Sequence, residues 1–175
     1  MKRTIVISLL TLSLVTVPVM AEAGFLFHAT KKALAKRIMA RGFSRKLMSP
    51  STRFGKGAYL SKSPVTALRE KPKADALVVF RDSKNLRNNA INVRNIQKDR
   101  IKALSGDTDL RGNIRKGVIG PDLGKKVANT AKRSDKSVLY RSARDPKGTN
   151  VFIPAQVYKK HPRIVTPTGT IQYVK

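Results

Sequence analysis

Ten carboxylate side chains and two histidines are all that this 175-residue chain offers for acid–base or charge-stabilising chemistry, set among 37 Lys and Arg. One of the ten, Glu70, closes the run "RFGKGAYLSKSPVTALRE", Arg53 to Glu70. The glycines of "RFGKG" let backbone N–H groups come close to a phosphate, and Arg53 and Lys56 supply charge beside them. The run lacks the spacing and the Lys-Ser/Thr pair of a Walker loop, so by itself it marks only a turn that tolerates an anion. A helix is expected after Tyr59, with Ser63 as N-cap and Pro64 at its first position. In it Ser63, Thr66, Ala67 and Glu70 stand at i, i+3, i+4 and i+7 and share one face, while Val65 and Leu68 are expected to point to the core. Small and hydroxylic neighbours leave space beside the Glu70 carboxylate. The plainer alternative is a solvent face on which Glu70 pairs with Arg69 or Lys73.

The two histidines differ in setting. His28 ends the apolar strand "GFLFHAT", just before a helix that Thr30 is placed to cap. His161 stands among Lys159, Lys160, Pro162 and Arg163 and is expected to be exposed and inert. Two histidines with lysines nearby could form a ribonuclease-type acid–base pair, although nothing in their spacing brings them together. No metal site is expected, because the chain has no Cys and neither His has a second ligand at helical spacing.

The elements that must hold these residues begin after a leader. Lys2 and Arg3, an apolar core from Ile5 to Val17 and "AEA" at residues 21–23 read as a signal peptide, too short in its apolar part to span a bilayer. Cleavage after Ala23 predicts a secreted or periplasmic mature chain, residues 24–175, forming a single domain. Without Lys2, Arg3 and Glu22 that chain has 35 basic and 9 acidic residues, a net charge of +26. Such a field favours nucleic acid, anionic lipid head groups or phosphorylated small molecules. Without disulfides it must bury a real core.

"KKALAKRIMARGF" reads as an amphipathic helix with Leu34, Ala35, Ile38 and Met39 inward and Gly42 as its stop. Strands are expected at "AYL", "DALVVFR", "NAINVRNI", "SVLYRS", "NVFIPAQVY" and "TIQYVK". A further helix is expected at "GKKVANTAK" within an otherwise weak stretch from Gln97 to Ser134. Short strands with a few helices and no regular βαβ alternation argue for an α+β fold.

The stretch "FLFHATKKALAKRIMARGF…RFGKGAYLSKSPVTAL" resembles the dinucleotide-binding half of the ADP-ribosyltransferase superfamily. In poly(ADP-ribose)-polymerase-like members a His-Gly-Thr/Ser strand end precedes a helix, and a "GKGIY" strand follows. The resemblance implies split mixed or antiparallel sheets with a few flanking helices, and a pocket for NAD as substrate. His28, Ala29 and Thr30 would line it, His28 bonding the nicotinamide ribose and Ala29 keeping the backbone groups of the usual Gly. Gly57 precedes Tyr59, whose ring would stack on the nicotinamide; on this reading Tyr59→Phe is mild.

The chain also resembles RES-domain proteins of the same superfamily. Their pattern places Arg53 and Phe54 before the Tyr59 strand, Glu70 in the next helix and Ser142 in the late "YRSARDPKGTNVFIP" segment. The polymerase-like pattern wants a Glu on a late strand, where this chain has only Asn150 and Gln156, so Glu70 is the preferred carboxylate. What the resemblance implies is a secreted toxin or effector that cleaves the nicotinamide–ribose bond, as an ADP-ribosyltransferase or NAD glycohydrolase. Glu70, Tyr59 and His28 would be its catalytic residues. The acceptor, a nucleic acid, an acidic protein, water or phosphate, is left open, and an immunity protein is an implied partner. Two other readings remain at this level: a polyanion-binding protein without catalysis, and a cationic nuclease using His28 and His161.

Overall fold

The computed structural model describes residues 24–48, 52–83, 86, 89–94, 114–115 and 118–172. Residues 1–23, half of the weak stretch from Gln97 to Ser134 and the last three residues of "TIQYVK" therefore lie outside the described residues. The elements run β1 (Phe25–Thr30), α1 (Lys32–Arg41), a 3-10 turn (Arg45–Leu47), β2 (Gly57–Ser61), α2 (Pro64–Glu70), β3 (Ala76–Asp82) and β4 (Ala90–Asn92). After them come β5 (Ile114–Arg115), β6 (Val118–Ile119), α3 (Pro121–Arg133), β7 (Ser137–Arg141), β8 (Thr149–Pro154), α4 (Ala155–Lys160) and β9 (Val165–Gln172). The α+β class expected from the sequence is the class observed.

Seven strands form one mixed sheet in the order β4-β7-β8-β2-β1-β3-β9, with β5 and β6 a separate small ribbon. Only β4–β7 is parallel. β1 and β2 share a single ladder pair, Phe27↔Ser61, whereas β1 and β3 pair along six residues. The sheet is thus continuous but divided there into a β1-β3-β9 part and a β2-β8-β7-β4 part.

Alternation along the strands sends side chains to two faces. One face carries Leu26, Leu60, Val78, Phe80, Val151 and Ile153, packed under Ala35 and Ile38 of α1 and Val157 and Tyr158 of α4. The other carries two separate apolar groups. Phe27, Ala29, Leu77 and Val79 pack with Ala67 of α2; Phe54, Tyr140 and Phe152 pack with Leu123, Val127 and Ala131 of α3.

Local chemistry explains most boundaries. Gly42 ends α1 as expected, at φ +68° with its N–H on the Ile38 carbonyl. Its start differs: Lys31 holds the N-cap position, and the first N–H, at Lys32, is taken by the Asp75 carboxylate at 2.6 Å, not by Thr30. Ser63 does occupy the α2 N-cap with Pro64 after it, but its side chain makes no capping bond.

Three expectations are corrected. The strand expected through "NVFIPAQVY" stops at Pro154 and continues as α4, because helical turning buries the adjacent Val157 and Tyr158 together in the core, which a strand cannot do. The Tyr158 hydroxyl there accepts a bond from the Phe43 N–H. α2 departs from expectation in part: Thr66 and Ala67 are buried and Val65 is 50% exposed, while Leu68 packs on the β1–β3 apolar group as expected. β9 begins at Val165, five residues before "TIQYVK", and accommodates Pro167 because it is an edge strand with a register irregularity opposite Val79/Phe80.

Candidate functional site

The seam between the two apolar groups is polar. Ser61 and Asn150 face each other across β2 and β8, and Tyr140 lies opposite Asn150 on β7. The Ser61 hydroxyl donates to Asn150 Oδ1 at 2.6 Å, which turns the other end of that amide outward. Asn150 Nδ2 then donates to Glu70 Oε1 at 2.8 Å, and the Ser142 hydroxyl donates to the same oxygen at 2.6 Å. Ser142 Oγ itself accepts the N–H groups of Asp145 (2.9 Å) and Arg144 (3.2 Å), so its one proton is directed at Glu70. Every donor polarity in the chain is fixed, and all of it ends on one carboxylate oxygen. Oε2 takes no hydrogen bond among the described residues.

The turn that carries Ser142 is fastened to α2. Asp145 accepts Thr66 Oγ1 at 2.6 Å and Arg69 Nη1 at 2.9 Å. A Cβ on Gly148 would lie 2.5 Å from the Thr66 side chain, so only Gly lets the turn pack this close. Arg144 Nη1 reaches the main-chain carbonyl of Glu70 at 3.3 Å.

Tyr59 and the "RFGKG" turn form a second wall. The Tyr59 hydroxyl donates to the Gly55 carbonyl (2.8 Å), accepts the Phe54 N–H (3.1 Å) and meets Thr52 Oγ1 (2.5 Å). Gly55 sits at φ +80°, where a side chain is strained. Gly124 of α3 presses on the turn from outside; a Cβ there would collide with the Arg53 carbonyl. Arg53 is thereby held over the Tyr140 ring, 5.8 Å from its centroid, while Tyr59 leans on Phe152. Burial pushes the Tyr59 phenol up to about 12 in spite of its hydrogen bonds. Burial likewise raises that of Tyr140, on which the Glu70 charge and the Asn150 side chain also act. Both phenols keep their protons at neutral pH.

The structure therefore brings Glu70 and Ser142 into direct contact, sets Arg53, Phe54 and Tyr59 in one wall, and packs Gly57 against Phe152, whose ring leaves no room for a Cβ. It joins His28 less closely. The His28 ring turns to the edge of Phe43, and its Nδ1 bonds the Tyr59 main-chain oxygen at 2.8 Å, where the β1–β2 ladder has stopped. Burial holds its pKa below the usual value, and the Lys71 charge acts in the same direction, so the ring is neutral. Ala29 is buried beside α2, and Thr30 ends β1.

Gln156 lies exposed on α4, whose inward side chains pack on the opposite face, which separates it from the seam. His161 pairs with Asp135 at 2.6 Å and shares no partner with His28. Asn150 proves to be a partner of Glu70, not a substitute for it. Ser61, Tyr140 and Asp145 were not singled out by sequence reasoning, whereas Thr66 was, as a neighbour of Glu70 on its helix face. The alternation in "SVLYRS", which puts Tyr140 and Ser142 on one face, was the available signal.

No family model and no curated protein sequence matches the chain. Its fold does match a chain in the crystal structure of the M. tuberculosis MbcT–MbcA toxin–antitoxin complex, with a TM-score of 0.51 over 86% of this chain and 84% of that one. The two chains share a fold. Their identity is 12%, so the match speaks to architecture and not to residues. It agrees with the α+β, ADP-ribosyltransferase-like fold that the sequence resemblance implies.

Proposed function

We propose that this protein is an exported, NAD-consuming toxin in which Glu70 is the catalytic carboxylate. The observation that carries the reading is the convergence of fixed donors on Glu70 Oε1, which leaves Oε2 for a substrate. When the nicotinamide–ribose bond breaks, its electron pair leaves with the nicotinamide and positive charge develops on the ribose carbon, as in glycoside cleavage. A carboxylate held rigidly beside that carbon stabilises the charge without reorganising. The acceptor oxygen then bonds the ribose carbon and gives up its proton.

Arg53, aimed across the Tyr140 ring, supplies the cation for the pyrophosphate. Tyr59, half-buried, supplies aromatic surface for the nicotinamide, and Tyr140, buried against Phe54 and Arg53, backs that wall. His28, neutral, braces the Tyr59 backbone at the sheet division, which is a positioning role. The solved structure of like fold belongs to a toxin–antitoxin complex. That supports the toxin reading and an inhibitory partner protein for this one. The cationic-nuclease alternative loses support, because His28 and His161 have separate partners.

The test is incubation of the purified protein with NAD, followed by chromatography for free nicotinamide. Release above the buffer rate is expected. No release, with NAD recovered intact, overturns the proposal.

A further inference from the structure

The acidic side chains of α2, of the loop after it and of the Ser142 turn are all held internally. Glu70 accepts Ser142 and Asn150, Asp145 accepts Thr66 and Arg69, and Asp75 takes the Lys32 N–H and the Lys31 ammonium. Three cations of the same segments are not matched. Lys71 follows Glu70 directly, Arg144 reaches the Glu70 carbonyl, and Lys147 stands in the turn that packs on Thr66. All three are exposed, and none pairs with an acidic side chain among the described residues. The formal charge of the whole chain, +27, is far more than one pyrophosphate requires.

We infer that this rim, Lys71, Arg144 and Lys147, is a docking surface for the phosphate backbone of duplex nucleic acid. The chemistry of the exposed surface selects this among polyanions. A lipid surface is held by cations together with inserted apolar side chains, and a protein partner by buried aromatic or aliphatic anchors. Val65 is the only large hydrophobic side chain exposed among the described residues. Single strands are gripped by stacking on exposed aromatic rings. No described Phe or Tyr is exposed. A duplex backbone needs cations and nothing else. The docked duplex would run past Glu70 and bring its own groups to it, yet docking needs only the rim and stands apart from the reading of Glu70 as a catalyst.

The experiment measures binding without NAD, so that its failure and that of the proposed reaction are distinguishable. Fluorescence anisotropy follows a labelled mixed-sequence DNA duplex, and its RNA counterpart, titrated with the protein over a range of salt. Lys71→Gln/Arg144→Gln/Lys147→Gln is compared with a control of equal charge change, Lys32→Gln/Lys36→Gln/Arg37→Gln. The control lies on α1, over the opposite face of the sheet. Wild type should show log affinity falling steeply with log salt. The rim variant should weaken binding and flatten that slope by roughly 0.9 for each phosphate it no longer neutralises. The α1 variant should change the slope by less than one such step. Equal weakening by the two variants, no weakening by either, or capture of phosphatidylserine–phosphatidylcholine vesicles with no duplex binding would each overturn the inference. Circular dichroism of both variants confirms that they are folded.

Discussion

The two faces of the central sheet are built on different principles. Under α1 and α4 the packing is continuous and apolar, running from Leu26 and Phe80 through Leu60 to Val151 and Ile153. On the other face two apolar groups are parted by Ser61, Asn150, Glu70 and Ser142, joined by directed hydrogen bonds that end on Glu70 Oε1. Burying polar groups stabilises little even when every bond is made, and costs a full desolvation penalty when one is removed. One face therefore holds the fold together, and the other gives up cohesion to hold a carboxylate in one position. The single Phe27↔Ser61 step of the β1–β2 pair lies at the border of the seam.

Substitutions on the two faces should separate stability from function. Phe80, fully buried on the apolar face and stacked on Phe43, should cost the most. Phe80→Ala is expected to lower unfolding free energy by about 3–5 kcal/mol in a urea titration. A smaller loss would mean that the apolar face is less tightly packed than its burial implies. On the seam, Asn150→Ala removes one donor from Glu70 and the acceptor of Ser61. It should cost about 1–3 kcal/mol by the same titration and also slow nicotinamide release. Loss of stability with unchanged turnover would contradict the seam's role.

Tyr59→Phe sharpens the contrast further. The sequence reading expects this change to be mild. The structure instead shows the hydroxyl closing the Arg53 turn, so the variant should lose about 1 kcal/mol and bind NAD more weakly as Arg53 loses its hold. Unchanged affinity for NAD would detach the turn from the pocket.

The smallest effect concerns His28. Its folded pKa lies below the unfolded value of 6.5, so in the window just below 6.5 the unfolded chain binds more protons than the folded one. Stability is therefore complete above 6.5 and falls as pH drops below it. The melting temperature of wild type should decline from neutral pH towards pH ~5.5 more steeply than that of His28→Gln. Parallel curves would show that His28 contributes nothing to this decline.

Much of the second wall was legible because it is local. Five residues separate Arg53 from Tyr59, and the Ser63-Pro64 start fixes where α2 begins and so where Glu70 ends it. The fold class was legible in the same way, from short strands and few helices. The hydrogen-bond partners of Glu70 were not, because they are set by strand register between segments 72 and 80 residues distant in sequence. Resemblance supplied Ser142; spacing placed it only on one face with Tyr140. Val65 of α2 was misplaced because small buried residues give no hydrophobic signal. Thr66 and Ala67 are inside for closeness to β1 and the Asp145 turn, and Val65 is left outside. α4 was misread because "FIPAQVY" keeps apolar residues in either period, and only Tyr158 meeting Phe43 decides between them.

The claim that the seam exists to present Glu70 is tested most directly by Glu70→Gln. The amide is isosteric and keeps an oxygen for Ser142 and Asn150, so circular dichroism and the melting temperature should stay close to wild type. The negative charge it removes matters chiefly in the transition state, so turnover should fall while NAD affinity changes little. At saturating NAD the rate of nicotinamide release is expected to drop by about 10²–10³-fold. A folded Glu70→Gln protein that releases nicotinamide at the wild-type rate would contradict the account.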